Sequence, residues 1–140
     1  MKIMAIDYGD AHTGVAVSDP TWTLCGFSTV ITAYRPEVVI EQLQKLIAEH
    51  GVAELVLGHP INMDGSRGPR AEKAEGFAAQ LREATGLPVT LWDERRTTID
   101  AHNILATNGK RAKERKKTVD AVAASLMLEG YLTYKKRNGQ

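Results

Sequence analysis

The chain has 140 residues, 43% of them hydrophobic and 25% charged, with 18 Lys and Arg against 17 Asp and Glu. That length accommodates one domain, residues 1–140, with a core that needs no disulfide or metal staple. It contains no apolar run of membrane-spanning length and no basic-then-apolar signal at its start. A net charge of +1 means that any attraction for nucleic acid must come from local clustering.

Ile3 to Ile6 form an apolar run that reads as a buried strand, and it ends on Asp7. Tyr8 and Gly9 open a polar turn, after which Val15 to Val17 read as a second strand. A third strand-like stretch covers Leu24 to Ile31. It contains Cys25, the only cysteine, which excludes an intrachain disulfide and a thiolate metal site and reads as a small buried apolar residue. Pro36 opens a helix with Val39, Leu43, Leu46 and Ile47 at helical spacing, and Gly51 stops it. Ala53 to Gly58 is a short apolar strand, followed by the loop "HPINMDGSRGPR". A second helix carries Ala74, Phe77, Ala78, Leu81 and Ala84 on one side and closes at Gly86. Leu87 to Trp92 is the fifth strand and runs directly into Asp93, Glu94, Arg95 and Arg96. Thr97 with Asp100 resembles a capping box for a further helix. The charged stretch "GKRAKERKKT" then precedes a last helix from near Thr118 to about Tyr134. Three adjacent strands favour hairpins, and strands separated by helices favour parallel crossovers. The expected fold is therefore α/β: a five-stranded mixed sheet flanked by helices.

In such a sheet Asp7 and Glu94 both stand at the ends of apolar strands, a usual place for a site. Each has a plainer reading: Asp7 as a turn residue before Gly, and Glu94 as a solvated strand-end charge. Asp120 reads as an acid in the first turn of a helix, where the dipole favours it. Its neighbours Val119, Val122, Ala123, Leu126 and Met127 indicate that this turn faces the sheet. If so, Asp7, Glu94 and Asp120 converge from two strands and one helix. Two carboxylates about 4 Å apart repel by roughly 4 kcal/mol at an effective dielectric near 20. Three such groups need protons or cations. An all-oxygen donor set suits Mg²⁺ or Mn²⁺ better than zinc, and two such ions serve phosphodiester hydrolysis.

Positive charge surrounds these acids. Arg95 and Arg96 flank Glu94, while Lys110, Arg111, Lys113, Arg115, Lys116 and Lys117 lead into Asp120 against the single acid Glu114. A charge run is ordinarily a solvated face, but this one adjoins a candidate catalytic acid and reads as a phosphate-binding segment. Lys135, Lys136 and Arg137 read as solubilising. Asn62, Asp64 and Gly65 read as a tight turn, and Asp93 as a strand-end charge. His12, His50, His59 and His102 show no metal-ligand spacing. Tyr8 and Trp92 have the chemistry to stack on bases, although core packing accounts for them as well.

The chain resembles the YqgF family, also called RuvX. "AIDYGDAHTGVAVSD" is similar to its first motif, "GHPINMDGSRGPRAE" to its loop after the fourth strand, "LWDERRTT" to its second acidic motif and "KKTVDAVAASLMLEGYL" to its last helix. The resemblance spans almost the whole chain. It implies a ribonuclease H-like fold, Asp7, Glu94 and Asp120 as catalytic acids, and a loop containing Asn62 at the substrate's border. It further implies a nuclease acting on precursor 16S ribosomal RNA or on branched DNA of the Holliday-junction type, with ribosomal particles as partners. Arg96 departs from the family, which usually has an apolar residue there. The rivals are a phosphotransferase of the actin and sugar-kinase superfamily, which would need a second domain, and a silent nucleic-acid-binding module. A mere binder gains nothing by gathering three acids beside phosphates. The helices each have a single apolar face, which the sheet consumes, so a monomer or weak dimer is expected.

Overall fold

The computed structural model describes residues 2–19, 25–61, 64–93 and 112–137, with the side chains of the last helix from 122 onward. Strands β1 (Lys2–Asp7), β2 (His12–Ser18) and β3 (Cys25–Thr32) come first, then helix α1 (Pro36–His50) and strand β4 (Val52–His59). Helix α2 (Pro69–Thr85), strand β5 (Val89–Asp93) and helix α3 (Ala112–Arg137) complete the order among the described residues. The five strands form one sheet in the order β3-β2-β1-β4-β5. β1–β2 and β2–β3 pair antiparallel, whereas β1–β4 and β4–β5 pair parallel. The expected mixed sheet is the observed one.

Alternation along the strands sorts the core into two layers, because successive side chains point to opposite faces. Met4, Ile6, Val15, Val17, Leu55 and Leu57 face α1 and α2, where Val39, Leu43, Phe77 and Leu81 meet them. Ile3, Ala5, Ala16 and Val56 face the other way, toward Ala124, Met127, Leu128, Tyr131 and Leu132 of α3. Each large side chain so buried contributes about 1.5–3 kcal/mol. The central strand β1 is covered on both faces, which explains its uninterrupted apolar run.

Several boundaries depart from the sequence expectation. β2 begins at His12, three residues before Val15, because its ladder with β3 continues through His12 and Thr32. β5 begins at Val89 rather than Leu87. Ala84 is exposed near the end of α2, since the buried stripe ends at Leu81. On α1, Ile40 joins Val39 and Leu43 in the interior, with Leu46 and Ile47 only half-buried. The largest difference is in α3, which begins at Ala112 and not near Thr118. Ala, Lys, Glu and Arg are strong helix formers, so the basic segment extends the helix. Lys135 is also not a solubilising residue. It is buried at 8% exposure, and its Nζ lies 2.5 Å from Oε1 of Glu54 on β4. Cys25 is half-buried, donating its thiol to the Phe27 carbonyl at 3.2 Å.

Candidate active site

Asp7 closes β1, opposite Gly14 of β2, and continues the row of Ile3 and Ala5 toward the α3 side. Ile6 aligns with Leu57, and Gly58 aligns with Trp92. One step beyond Leu57, Asp7, Gly58 and Trp92 therefore form a row across β1, β4 and β5. Gly58 has no side chain, so nothing projects from the strand between the carboxylate and the indole.

The turn after Asp7 is held from both sides. A Cβ on Gly9 would fall well inside contact distance of the His12 carbonyl oxygen, so the chain can close here only with glycine. The amide of Ala33 donates to the Ala11 carbonyl at 3.0 Å, tying the turn to the end of β3. From α2, Lys73 pairs with Asp10 at 2.5 Å, and its ammonium lies 5.6 Å from the centre of the Tyr8 ring. Tyr8 itself lies flat on Phe77, with ring centres 3.9 Å apart. Burial pushes its phenol above the ordinary value. Tyr8 is thus a packing residue that fixes the direction in which Asp7 leaves the sheet.

The loop after β4 carries a second clasp. His59 Nε2 lies 2.6 Å from Glu75 Oε2, Arg67 Nε donates to the same oxygen at 2.8 Å, and Arg67 Nη2 donates to Oε1. The Arg67 guanidinium and then His59 hold the Glu75 carboxyl at about 2, well below the usual carboxylate range. Between these anchors, Asp64 Oδ1 accepts from the Ser66 amide at 2.9 Å and from its hydroxyl at 2.6 Å, and Gly65 has φ 88°. The tight turn expected of Asp64 and Gly65 is present; Asn62 lies outside the described residues. Sequence reasoning missed the His59–Glu75–Arg67 group. Its members come from a strand end, a loop and a helix, and no local spacing announces them.

Of the three expected acids, Asp7 is described in full. Glu94, Arg95, Arg96, Lys110 and Arg111 lie outside the described residues, as do Thr97 and Asp100 with their expected cap. Asp120 and Lys113, Arg115, Lys116 and Lys117 are placed on the backbone of α3, with their side chains outside the described residues. Asp120 is not in a first helical turn: it is the ninth residue of α3. The dipole acts over the first turn only, so it gives this acid no support. Among the described residues, no three His, Cys, Asp or Glu side chains gather as a metal site. No helix among them is long and apolar enough to cross a membrane.

Residues 1–134 match the model of a family described as RuvX, Holliday junction resolvase. The chain is 43% identical over 133 residues to a candidate pre-16S rRNA nuclease of Pelotomaculum thermopropionicum, covering 94% of this chain and 86% of that protein. It is 42% identical over 137 residues to a protein so named in Halothermothrix orenii, covering 98% of each. Among solved structures, it is similar to Thermus thermophilus RuvC in complex with a Holliday junction substrate. The TM-score is 0.65 at 14% identity, covering 98% of this chain and 96% of that one. At that identity the likeness speaks to the fold, which is ribonuclease H-like. By the match along nearly its whole length, the chain belongs to the RuvX family.

Proposed function

We propose that this protein is a cytoplasmic, metal-dependent nuclease that hydrolyses phosphodiester bonds of structured nucleic acid, with the 5′ end of precursor 16S ribosomal RNA as its substrate. The carrying observation is Asp7: a carboxylate at the end of the central strand, on the α3 side, with its turn clamped by Gly9, Tyr8 and Lys73. Membership of the RuvX family supports the same reading.

Asp7, Glu94 and Asp120 are the proposed catalytic acids and metal ligands. Glu94 directly follows the last residue of β5, and Asp120 precedes the buried Ala124 by four residues, one helical turn. Three carboxylates with no thiolate or imidazole suit a hard divalent cation, Mg²⁺ or Mn²⁺. Bound there, such ions supply charge neutralisation at the scissile phosphate and lower the pKa of a water. The chain's own contribution is to hold Asp7 rigidly and to bring positive charge to the substrate backbone. Because α3 begins at Ala112, positions 113, 116 and 117 precede Asp120 by seven, four and three residues, along one stripe of the helix. Lys113, Lys116 and Lys117 are therefore the proposed phosphate contacts, with Arg115, Lys110, Arg111, Arg95, Arg96 and Asn62 around them.

The test is cleavage of labelled precursor ribosomal RNA, beside a four-way DNA junction, with Mg²⁺ or Mn²⁺. Asp7→Asn, Glu94→Gln and Asp120→Asn should each abolish cleavage while the protein stays folded. Removing all three should be little worse than removing one, since they act as a unit. Near-wild-type turnover by any single variant would overturn the triad. Paired symmetric nicks in the junction, with the RNA left intact, would replace the RNA substrate with DNA.

A further inference from the structure

A cavity of about 270 Å³ opens between β5 and the last turns of α3, lined by Thr90, Leu91, Trp92, Asp93, Tyr131 and Tyr134. Three of its walls are aromatic. The Trp92 ring stands nearly perpendicular to Tyr131 at 5.6 Å between centres and tilts against Tyr134 at 5.7 Å. Tyr131 and Tyr134 lie 6.2 Å apart with 28° between their planes.

The back wall is rigid and the front wall is open. Tyr131 is 5% exposed; its hydroxyl donates to Glu54, which also holds the Lys135 ammonium. Burial and then the Glu54 hydrogen bond push its phenol up to about 12. Gly130 presents no side chain where Trp92 Cζ2 comes against α3. Tyr134, by contrast, is 49% exposed, one of two large hydrophobic residues left so open among those described. Its ring is held at one edge by Trp92 and Tyr131 and leaves the rest of its surface to solvent.

Two features identify what the cavity takes. Arg137 follows Tyr134 by three residues, a neighbouring position on the helix surface, and is exposed, so a cationic side chain adjoins the aromatic floor. That combination matches a single nucleic-acid strand, whose bases offer flat faces and whose phosphates need cations. The cavity also adjoins the row that starts at Asp7. Trp92 is two strands from Asp7, about 10 Å between Cα positions, and two residues before Glu94.

Resting on the nuclease reading, we infer that this cavity binds an unpaired base of the substrate strand, with Tyr134 and Trp92 as the stacking rings. The site selects a substrate with an unpaired nucleotide beside the bond to be cut, because a base held in a duplex cannot enter it.

The experiment uses the full chain with Trp22→Phe, which leaves Trp92 as the only tryptophan. The protein is titrated, in excess chelator, with a short single-stranded oligoribonucleotide and with the blunt duplex of the same sequence. Trp92 emission should be quenched to saturation by the single strand and left nearly unchanged by the duplex. Tyr134→Ala should weaken single-strand binding by about 5-fold to 150-fold, the range for one lost base–aromatic stack. Tyr134→Phe should bind like the parent. Unquenched Trp92 at saturating single strand would overturn the site, as would unchanged affinity of a folded Tyr134→Ala. Chelation removes cleavage from the measurement, so the two readings fail separately. Quenching in a protein that never cuts RNA would support the base site and sink the nuclease. Full cleavage with no quenching would do the reverse.

Discussion

Lys135 on α3 and Glu54 on β4 form an ion pair at 2.5 Å, with side chains only 10% and 18% exposed. The Tyr131 hydroxyl completes the group by donating to the second oxygen of Glu54. A charge pair so enclosed contributes little net stability as a unit, because desolvation offsets attraction. Removing one partner strands the other. Lys135→Met should therefore destabilise the protein by about 3 kcal/mol, the low end for breaking a buried pair. The double variant Lys135→Met with Glu54→Leu should recover most of that loss. Lys136→Ala, one residue away on the exposed side, should change stability by less than about 0.5 kcal/mol. Denaturant titration of the four proteins decides it; equal effects at 135 and 136 would show that the pair does not hold α3 to the sheet.

Two glycines should respond in opposite directions. Gly9→Ala forces a methyl group against the His12 carbonyl, which is backbone and cannot swing away. The turn must open, and Asp7 moves with it, so stability should fall by more than about 1 kcal/mol and cleavage with it. Gly76 sits on the exposed side of α2 with nothing within 4 Å of an added Cβ. Gly76→Ala should stabilise by about 0.5–1 kcal/mol, because the interior of a helix favours Ala over Gly by that amount. Thermal melts of the two variants supply the comparison.

The order of strands and helices was legible because burial writes itself into periodicity. Ile3–Ile6 is apolar throughout, since α1 and α2 cover one face and α3 the other. Asp7 stood out as a candidate because it breaks that run at a strand end, and the strand end is where the structure puts it. What escaped depended on partners far apart in sequence. Nothing near Lys135 indicates that Glu54, 81 residues away, will neutralise it. Glu75 likewise gives no sign locally that His59 and Arg67 will converge on it. The basic segment misled for another reason: its charge suggested a loop, while its Ala, Lys, Glu and Arg content favours helix. That correction changes the meaning of Asp120. An acid in a first turn is explained by the dipole; at the ninth residue the dipole no longer accounts for it.

The Glu75 clasp makes a pH prediction. Its folded pKa, about 2, lies below the ordinary value of 4.5, so the folded state favours the ionised form. The stability it contributes is present in full above about 4.5 and is lost as pH falls toward 2. Glu75→Gln should remove that part of the acid dependence, leaving a shallower decline of unfolding free energy between pH 5 and pH 2. Denaturant titrations across that window measure it. The carboxylate is 28% exposed, so salt should weaken the effect. Superimposable pH profiles for parent and variant would show that Arg67 and His59 do not hold Glu75 in solution.

The basic stripe of α3 should reveal itself in salt dependence. Each Lys that neutralises a phosphate releases a condensed counterion when the complex forms, so log Kd varies with log salt by about 0.7 to 0.9 per contact. Lys116 and Lys117 precede Asp120 by four and three residues on one helix, a spacing that sets all three along a single stripe. Neutralising both with Lys116→Gln and Lys117→Gln should flatten the slope by about one to two units. The weakening should be alike for RNAs of different sequence, because phosphates carry no sequence. Lys45→Gln provides the control: α1 packs on the opposite face of the sheet, and Lys45 is exposed there, 3.9 Å from Glu41. Its slope should match the parent's. An unchanged slope in the Lys116 and Lys117 double variant would return this stretch of α3 to a solvated helix surface. The phosphate contacts would then fall to the arginines beside Glu94.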